Sequence, residues 1–164
     1  MLNDLLGDKG AEFSGCRRYR YALWRRWGDG PYAMFIGLNP STADETTDDP
    51  TIRRCIRFAR DWGFDALCMA NLFAIRATDP KVMMASDEPV GPDNDVWLRR
   101  LSADAGIVIA AWGAYGSHQG RDLIVLGMLP ELHHLGLTKL GRPRHPLYLR
   151  ADSKPARLTP NGPS

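Results

Sequence analysis

Residues 35–44 read Phe35-Ile36-Gly37-Leu38-Asn39-Pro40-Ser41-Thr42-Ala43-Asp44, and the rest of the chain is organised around them. The apolar run Ala33–Ile36 stops at Gly37. A polar loop follows, carrying an amide, two hydroxyls and then the acids Asp44, Glu45, Asp48 and Asp49, and Pro50 opens an amphipathic helix. A buried strand that feeds a polar loop and then a helix is the place where open α/β sheets bind ligands.

Just downstream, Asp49 is a natural N-cap and Pro50 takes the first helical position. Ile52, Ile56, Ala59 and Trp62 recur at helical spacing and mark a buried face, with Gly63 as the stop. Upstream, Tyr19, Tyr21, Leu23 and Trp27 nearly alternate with Arg18, Arg20 and Arg26, which predicts a half-buried strand. Gly28-Asp29-Gly30-Pro31 reads as a turn, so this strand is expected to pair antiparallel with residues 32–37 at the sheet edge. Further core strands are predicted over 66–72, 107–111 and roughly 134–140. Helices are predicted from Pro80, from Pro92 and over about 120–128.

Strands alternating with helices predict an α/β fold. The expected form is a three-layer sandwich with a mostly parallel central sheet, built from four core strands plus an antiparallel N-terminal edge strand. Residues 1–15 read as a loose lead-in, 16–150 as a single α/β domain and 151–164 as a flexible C-terminal tail.

Composition narrows the class. The 164 residues fit one domain with a real core, and 44% hydrophobic and 24% charged residues are ordinary globular values. No apolar run approaches the roughly 20 residues of a membrane span, and residues 1–6 show no signal-peptide pattern. Cys16, Cys55 and Cys68 are odd in number and widely spaced. They suit neither a disulfide framework nor a zinc or iron–sulfur site, which points to a reduced, cytoplasmic compartment. A net charge of +2 is far from that of a purely electrostatic DNA binder. The arginines nevertheless cluster, with Arg53, Arg54, Arg57 and Arg60 on one helix, as a solvated surface or an anion-binding face.

In a parallel sheet the carboxyl ends of the strands lie together, so four loops are expected to converge. They bring Asn39, Ser41, Thr42 and Asp44; then Asn71, Phe73, Arg76 and Asp79; then Trp112 and Tyr115 beside Gly113 and Gly116; and last His145, Leu147 and Tyr148. Aromatics, amides and a histidine at one sheet edge suit a pocket for a flat polar ring. There is no GxGxxG, no P-loop lysine motif and no G-x-S-x-G elbow. No cofactor is expected. His133-His134 reads as structural or surface rather than metal-binding.

Five motifs carry a family resemblance: Gly37–Asp44 (GLNPSTAD), Asn71–Pro80 (NLFAIRATDP), Pro89–Asp95 (PVGPDND), Ala111–Gly113 (AWG) and His145–Tyr148 (HPLY). On these the chain is identified as a member of the domain-of-unknown-function family 1643. The same strand-end motifs are similar to those of the uracil-DNA glycosylase superfamily. Gly37-Leu38-Asn39-Pro40 resembles its mismatch-type GINP loop, Asn71 its base-reading asparagine, Trp112-Gly113 its WG and His145-Pro146 its His-Pro.

That resemblance implies the superfamily's fold and a nucleic-acid or nucleotide partner. His145 would donate to the departing base, Asn39 would position water, and Asn71 would read the base edge. Phe73 or Trp112 would stack on the ring. Ser41, Thr42, Arg76 and Arg144 would hold phosphates, and Leu147 or Tyr148 would wedge into a duplex. The chain departs from the pattern in having an amide, not a carboxylate, at position 39, which leaves Asp44 as the candidate base. It also lacks the tyrosine that would exclude a 5-methyl group, so a thymine or bulkier base is admitted.

Two other functions stay open. One is a non-catalytic nucleobase or nucleic-acid binding module on the same fold. The other is a metal-dependent hydrolase gathering a divalent ion with Asp44, Glu45, Asp48 and Asp49, against which Asp49 has a simpler use as a helix cap. The glycosylase reading requires Asn39, Asn71 and His145 to line a single cleft flanked by arginines.

Overall fold

The fold, a computed structural model, is described over residues 8–159. Seven strands form one sheet in the order β1-β2-β4-β3-β5-β6-β7. They are β1 (Lys9–Phe13), β2 (Arg20–Arg26), β3 (Tyr32–Gly37), β4 (Ala66–Asn71), β5 (Ile107–Ala110), β6 (His133–His134) and β7 (Ala156–Arg157). The helices are α1 (Pro50–Asp61), α2 (Pro80–Ala85), α3 (Asn94–Asp104) and α4 (Arg121–Met128). Short 3-10 turns cover Ala114–Gly120 and Pro146–Tyr148.

The sheet is mixed rather than mostly parallel. β3 lies between β4 and β5 and is parallel to both, and β5 is parallel to β6. The flanks are antiparallel: β1 with β2, β2 with β4, and β6 with β7. The expected β2–β3 hairpin does not form, because β4 sits between the two strands. Asp65, just ahead of β4, organises the crossing. Its carbonyl accepts from the Trp27 and Gly28 amides, its amide donates to Pro31 O, and its carboxylate accepts from the Gly30 amide at 2.8 Å. A Cβ on Gly30 would lie 2.2 Å from that carboxylate, so a larger residue there would displace the Asp65 side chain.

The consequence for β2 is large. It is an interior strand with β1 outside it, and Arg20 to Arg25 are all buried. The alternation of arginine and apolar residues therefore does not mark a half-buried edge strand. The lead-in expectation is corrected over Lys9–Phe13, which is β1, and the tail expectation over Ala156–Arg157, which pairs with β6. Residues 1–7 and 160–164 of the expected lead-in and tail lie outside the described residues. The last core strand is also shorter than 134–140. After β6 the chain turns back on itself, with Thr138 N–H donating to Arg142 O and a bridge between Leu137 and Pro143.

Helices cover both faces. Phe35, Leu67, Met69 and Ile109 face α1, whose Ile52, Cys55, Phe58 and Ala59 are its buried residues. Burying a side chain such as Phe58 contributes roughly 1.5–3 kcal/mol. Met34, Cys68, Ala70 and Val108 face the other way, toward Leu98 and Leu101 of α3 and Val125 of α4. α1 starts as its sequence requires, with the Asp49 carboxylate accepting from the Ile52 amide at 2.8 Å. It ends at Gly63, whose φ of +84° suits the left-handed cap. Among the described residues no helix is long and apolar enough to cross a membrane.

Candidate functional site

β3, β4 and β5 run parallel, so the loops that leave them open on one side. A cavity of about 430 Å³ lies there, a size that takes a small ligand. Asn39, Asn71, Trp112 and His145 all line it, together with Ser41, Leu147 and Tyr148.

Asn39 is half-buried and ties two loops together. Its Nδ2 donates to Ala77 O at 2.8 Å and to Pro40 O at 3.2 Å. With the nitrogen committed, Oδ1 is the atom left to accept from a ligand or water. Asn71 ends β4 opposite Gly37 and is 2% exposed. Its main-chain carbonyl accepts from Asn94 Nδ2, while its own Nδ2 has no partner among the described residues. Gly37 makes room for this side chain, since a Cβ there would come 2.8 Å from Asn71 Oδ1. Trp112 is buried against Gly116, and its Nε1–H is likewise unpartnered. Buried donors in this state carry a desolvation cost that a ligand acceptor can offset.

His145 caps the turn Pro146–Tyr148, its Nδ1 accepting from the Leu147 amide at 3.2 Å. That bond puts the proton of the neutral ring on Nε2, which makes Nε2–H a donor. Burial lowers the imidazole pKa below its ordinary value, partly opposed by the charge of Asp49. The His145 loop is braced from two sides. Gly113 N–H donates to Pro143 O at 2.8 Å, joining it to the loop after β5, and Arg142 pairs with the buried Asp122 at 2.6 Å.

Other candidates lie elsewhere. Phe73 is fully buried in the core, 5.6 Å from the His118 ring, and does not line the cavity. Asp44 does not line it either. Its Oδ1 accepts from the Thr46 and Thr47 amides, which hold the carboxyl below the usual carboxylate range. Arg144 is exposed and donates to Leu137 O. Thr42 and Arg76 line a shallow depression next door with Arg17 and Ser41, and Ser41 belongs to both hollows.

The acidic cluster is dispersed by local bonds. Glu45 pairs with Arg17 at 2.5 Å, Asp48 with Arg25 at 2.7 Å, Asp44 closes its own turn and Asp49 caps α1. Among the described residues no three histidine, cysteine or acidic side chains are grouped to hold a metal ion.

Two residues at the cavity were not singled out as site residues by the sequence. Asp49 reads there as a cap and as a member of the acidic cluster, yet it is the one carboxylate lining the cavity among the described residues. Arg20 hid inside the alternating strand. It is 2% exposed and reaches the cavity wall from β2. A signal for it lay in the charge itself, since an arginine on a covered strand needs a partner.

No curated protein and no solved structure matches the chain. A family profile does, over residues 20–147, and its description is "Protein of unknown function (DUF1643)". That span holds every residue lining the cavity except Tyr148, and the chain belongs to this family.

Proposed function

We propose that the cavity receives a nucleobase turned out of a nucleic acid, and that the protein is a glycosylase-like enzyme acting on an unusual or modified base. The single observation that carries this reading is the meeting of Asn39, Asn71, Trp112 and His145 on one cavity at the strand ends. The three-layer architecture of the uracil-DNA glycosylase superfamily belongs to the same proposal. The placement of α1 on one face of the sheet and α3 and α4 on the other supports it.

The chemistry follows from the groups present. In hydrolysis of an N-glycosidic bond, water adds to the sugar's anomeric carbon and the base leaves with the bonding pair. Charge collects on a base oxygen, where His145 Nε2–H is a suitable donor. The water gives up a proton. Asn39 Oδ1 can orient it, and Asp49 is the carboxylate on the cavity wall that can accept the proton. Asn71 Nδ2 meets an acceptor on the base edge, and the nearly buried Trp112 contributes to the cavity wall against which the base would sit. At the rim, Leu147 and Tyr148 are 46% and 79% exposed, as a pair pressing on a duplex would be. Arg76 and Thr42 in the adjoining depression suit a phosphate.

The test is to incubate the protein with duplexes carrying uracil, mismatched thymine or a modified pyrimidine, and to read alkali-labile abasic sites. Cleavage is expected with at least one base and is lost in Asn39→Ala and His145→Ala. Full activity in both variants would sink the proposal. A non-catalytic binding module is the second reading, favoured by the amide at position 39. It predicts salt-sensitive oligonucleotide binding with no abasic product.

A further inference from the structure

β2 sends two buried arginines toward the β3–α1 loop, and they are bonded very differently. Arg25 is fully engaged. Its Nε meets Asp48, its Nη1 meets two main-chain carbonyls and its Nη2 meets two more. Arg20 makes one side-chain bond among the described residues, from Nη1 to Ala43 O at 3.0 Å. Its Nε is buried with no partner. No carboxylate lies within ion-pair distance of it among the described residues, and Asp49 attracts it only from farther away.

A guanidinium carries five N–H donors in a planar fork. One carbonyl does not account for them, nor for the cost of burying the charge. Burial lowers its pKa to about 10, so it remains a cation at neutral pH. Arg20 lines the same cavity as Asn71, whose Nδ2 is also buried and unpartnered. The cavity wall thus includes a buried cation without an ion-pair partner among the described residues and a second buried donor without a partner.

We infer that Arg20 makes this cavity select a ligand carrying an anionic group, a carboxylate on the base ring or a phosphate on its sugar, over the neutral ligand. The inference rests on the nucleobase reading and names its substrate class. The acceptor oxygens of such a group complete the bonding of Arg20. Asp49 disfavours an anion placed against itself, and its Oδ1 is already engaged by the Ile52 amide. The anionic group therefore belongs at the Arg20 end of the cavity.

Matched ligand pairs test this on the native protein by titration calorimetry: uracil against orotate, uridine against uridine 5′-monophosphate, and inorganic phosphate alone. The acidic member of one pair is expected to bind on the order of tenfold more tightly, the scale of a hydrogen bond to a charged group. The pair that shows the preference tells whether the anion sits on the ring or on the sugar. Arg20→Gln brings that ratio to about one, whereas Arg20→Lys keeps part of it. If Arg20→Gln does not fold, the ratios on the native protein decide alone.

Neutral and acidic members binding equally would overturn the inference and leave the nucleobase reading standing. Phosphate bound in an Arg20-dependent manner, with no base or nucleoside bound, would overturn the nucleobase reading and keep the anion site. Absence of all binding overturns both.

Discussion

The β3–α1 connection carries the acidic loop and also forms one wall of the cavity, yet the polar groups of loop and cavity are in opposite states. In the loop, Asp44, Glu45 and Asp48 each have a partner within a hydrogen-bond length. At the cavity, Asn71 Nδ2, Trp112 Nε1 and Arg20 Nε are buried and have none among the described residues. The loop has the denser chemistry in sequence, and the cavity has the spare bonding capacity. Folding uses up exposed acids through local turns and ion pairs. A buried donor without a partner is costly, and at a cavity an entering acceptor can offset that cost.

Substitution on the two sides should separate them. His145→Ala is expected to lower turnover roughly 10²–10³-fold, the usual cost of removing a donor to a developing oxyanion. Asn71→Ala should cost about 10- to 100-fold through lost reading of the base edge. Asp44→Ala and Glu45→Ala, assayed in parallel for abasic-site formation, should leave activity unchanged. If the loop variants fall as far as the cavity variants, the contrast is broken.

Asp49 stands on the border between the two regions and can be split by chemistry. Asp49→Ala removes both cap and charge, costing about 1 kcal/mol of stability in urea unfolding. Asparagine caps as well as aspartate, so Asp49→Asn should keep that stability. A proton acceptor is lost in both variants, so turnover should fall in both. Normal turnover in Asp49→Asn would return this residue to a purely structural role.

The smallest expected effect is in pH dependence. Burial depresses the His145 pKa, partly opposed by Asp49, so the unfolded chain binds the proton more readily. Stability then rises with pH wherever the unfolded state holds more protons. The native protein should lose stability as pH falls from about 6.5, the ordinary histidine value, toward the depressed one. His134 is shifted in the same direction by its own burial. The check is therefore a difference, in which His145→Gln shows a shallower loss than the native chain over that window. Identical slopes would mean that His145 is not held neutral by its surroundings.

Much of the cavity lining was legible because its residues follow strand ends. Asn39, Asn71, Trp112 and His145 each stand just past an apolar run or in a Pro-bounded turn, and parallel pairing brings such positions to one side. Phe73 lies off the cavity for a reason of the same kind. It follows Asn71 by two residues, but the chain after β4 turns inward, where Phe73 and Leu72 join the core. Asp44 is held off the cavity because a carboxylate two residues ahead of free amides closes its own turn. Arg20 stayed hidden because alternation shows two faces of a strand but not whether both are covered.

The sequence alone determined the elements and their ends. Asp49-Pro50 starts α1, Gly63 stops it, and unbroken apolar runs mark β3, β4 and β5 as covered on both faces. These are local matters of capping, backbone freedom and hydrophobic periodicity, settled within a few residues. Tertiary structure decided which strands are neighbours, and so which side chains share a space. β4 inserts between β2 and β3, tied to their connecting turn by Asp65, and with β1 on its other side β2 becomes an interior strand and Arg20 a buried cation on the cavity wall. Pairing between strands distant in sequence depends on packing that no short window contains, and here it selects the charge that lines the cavity.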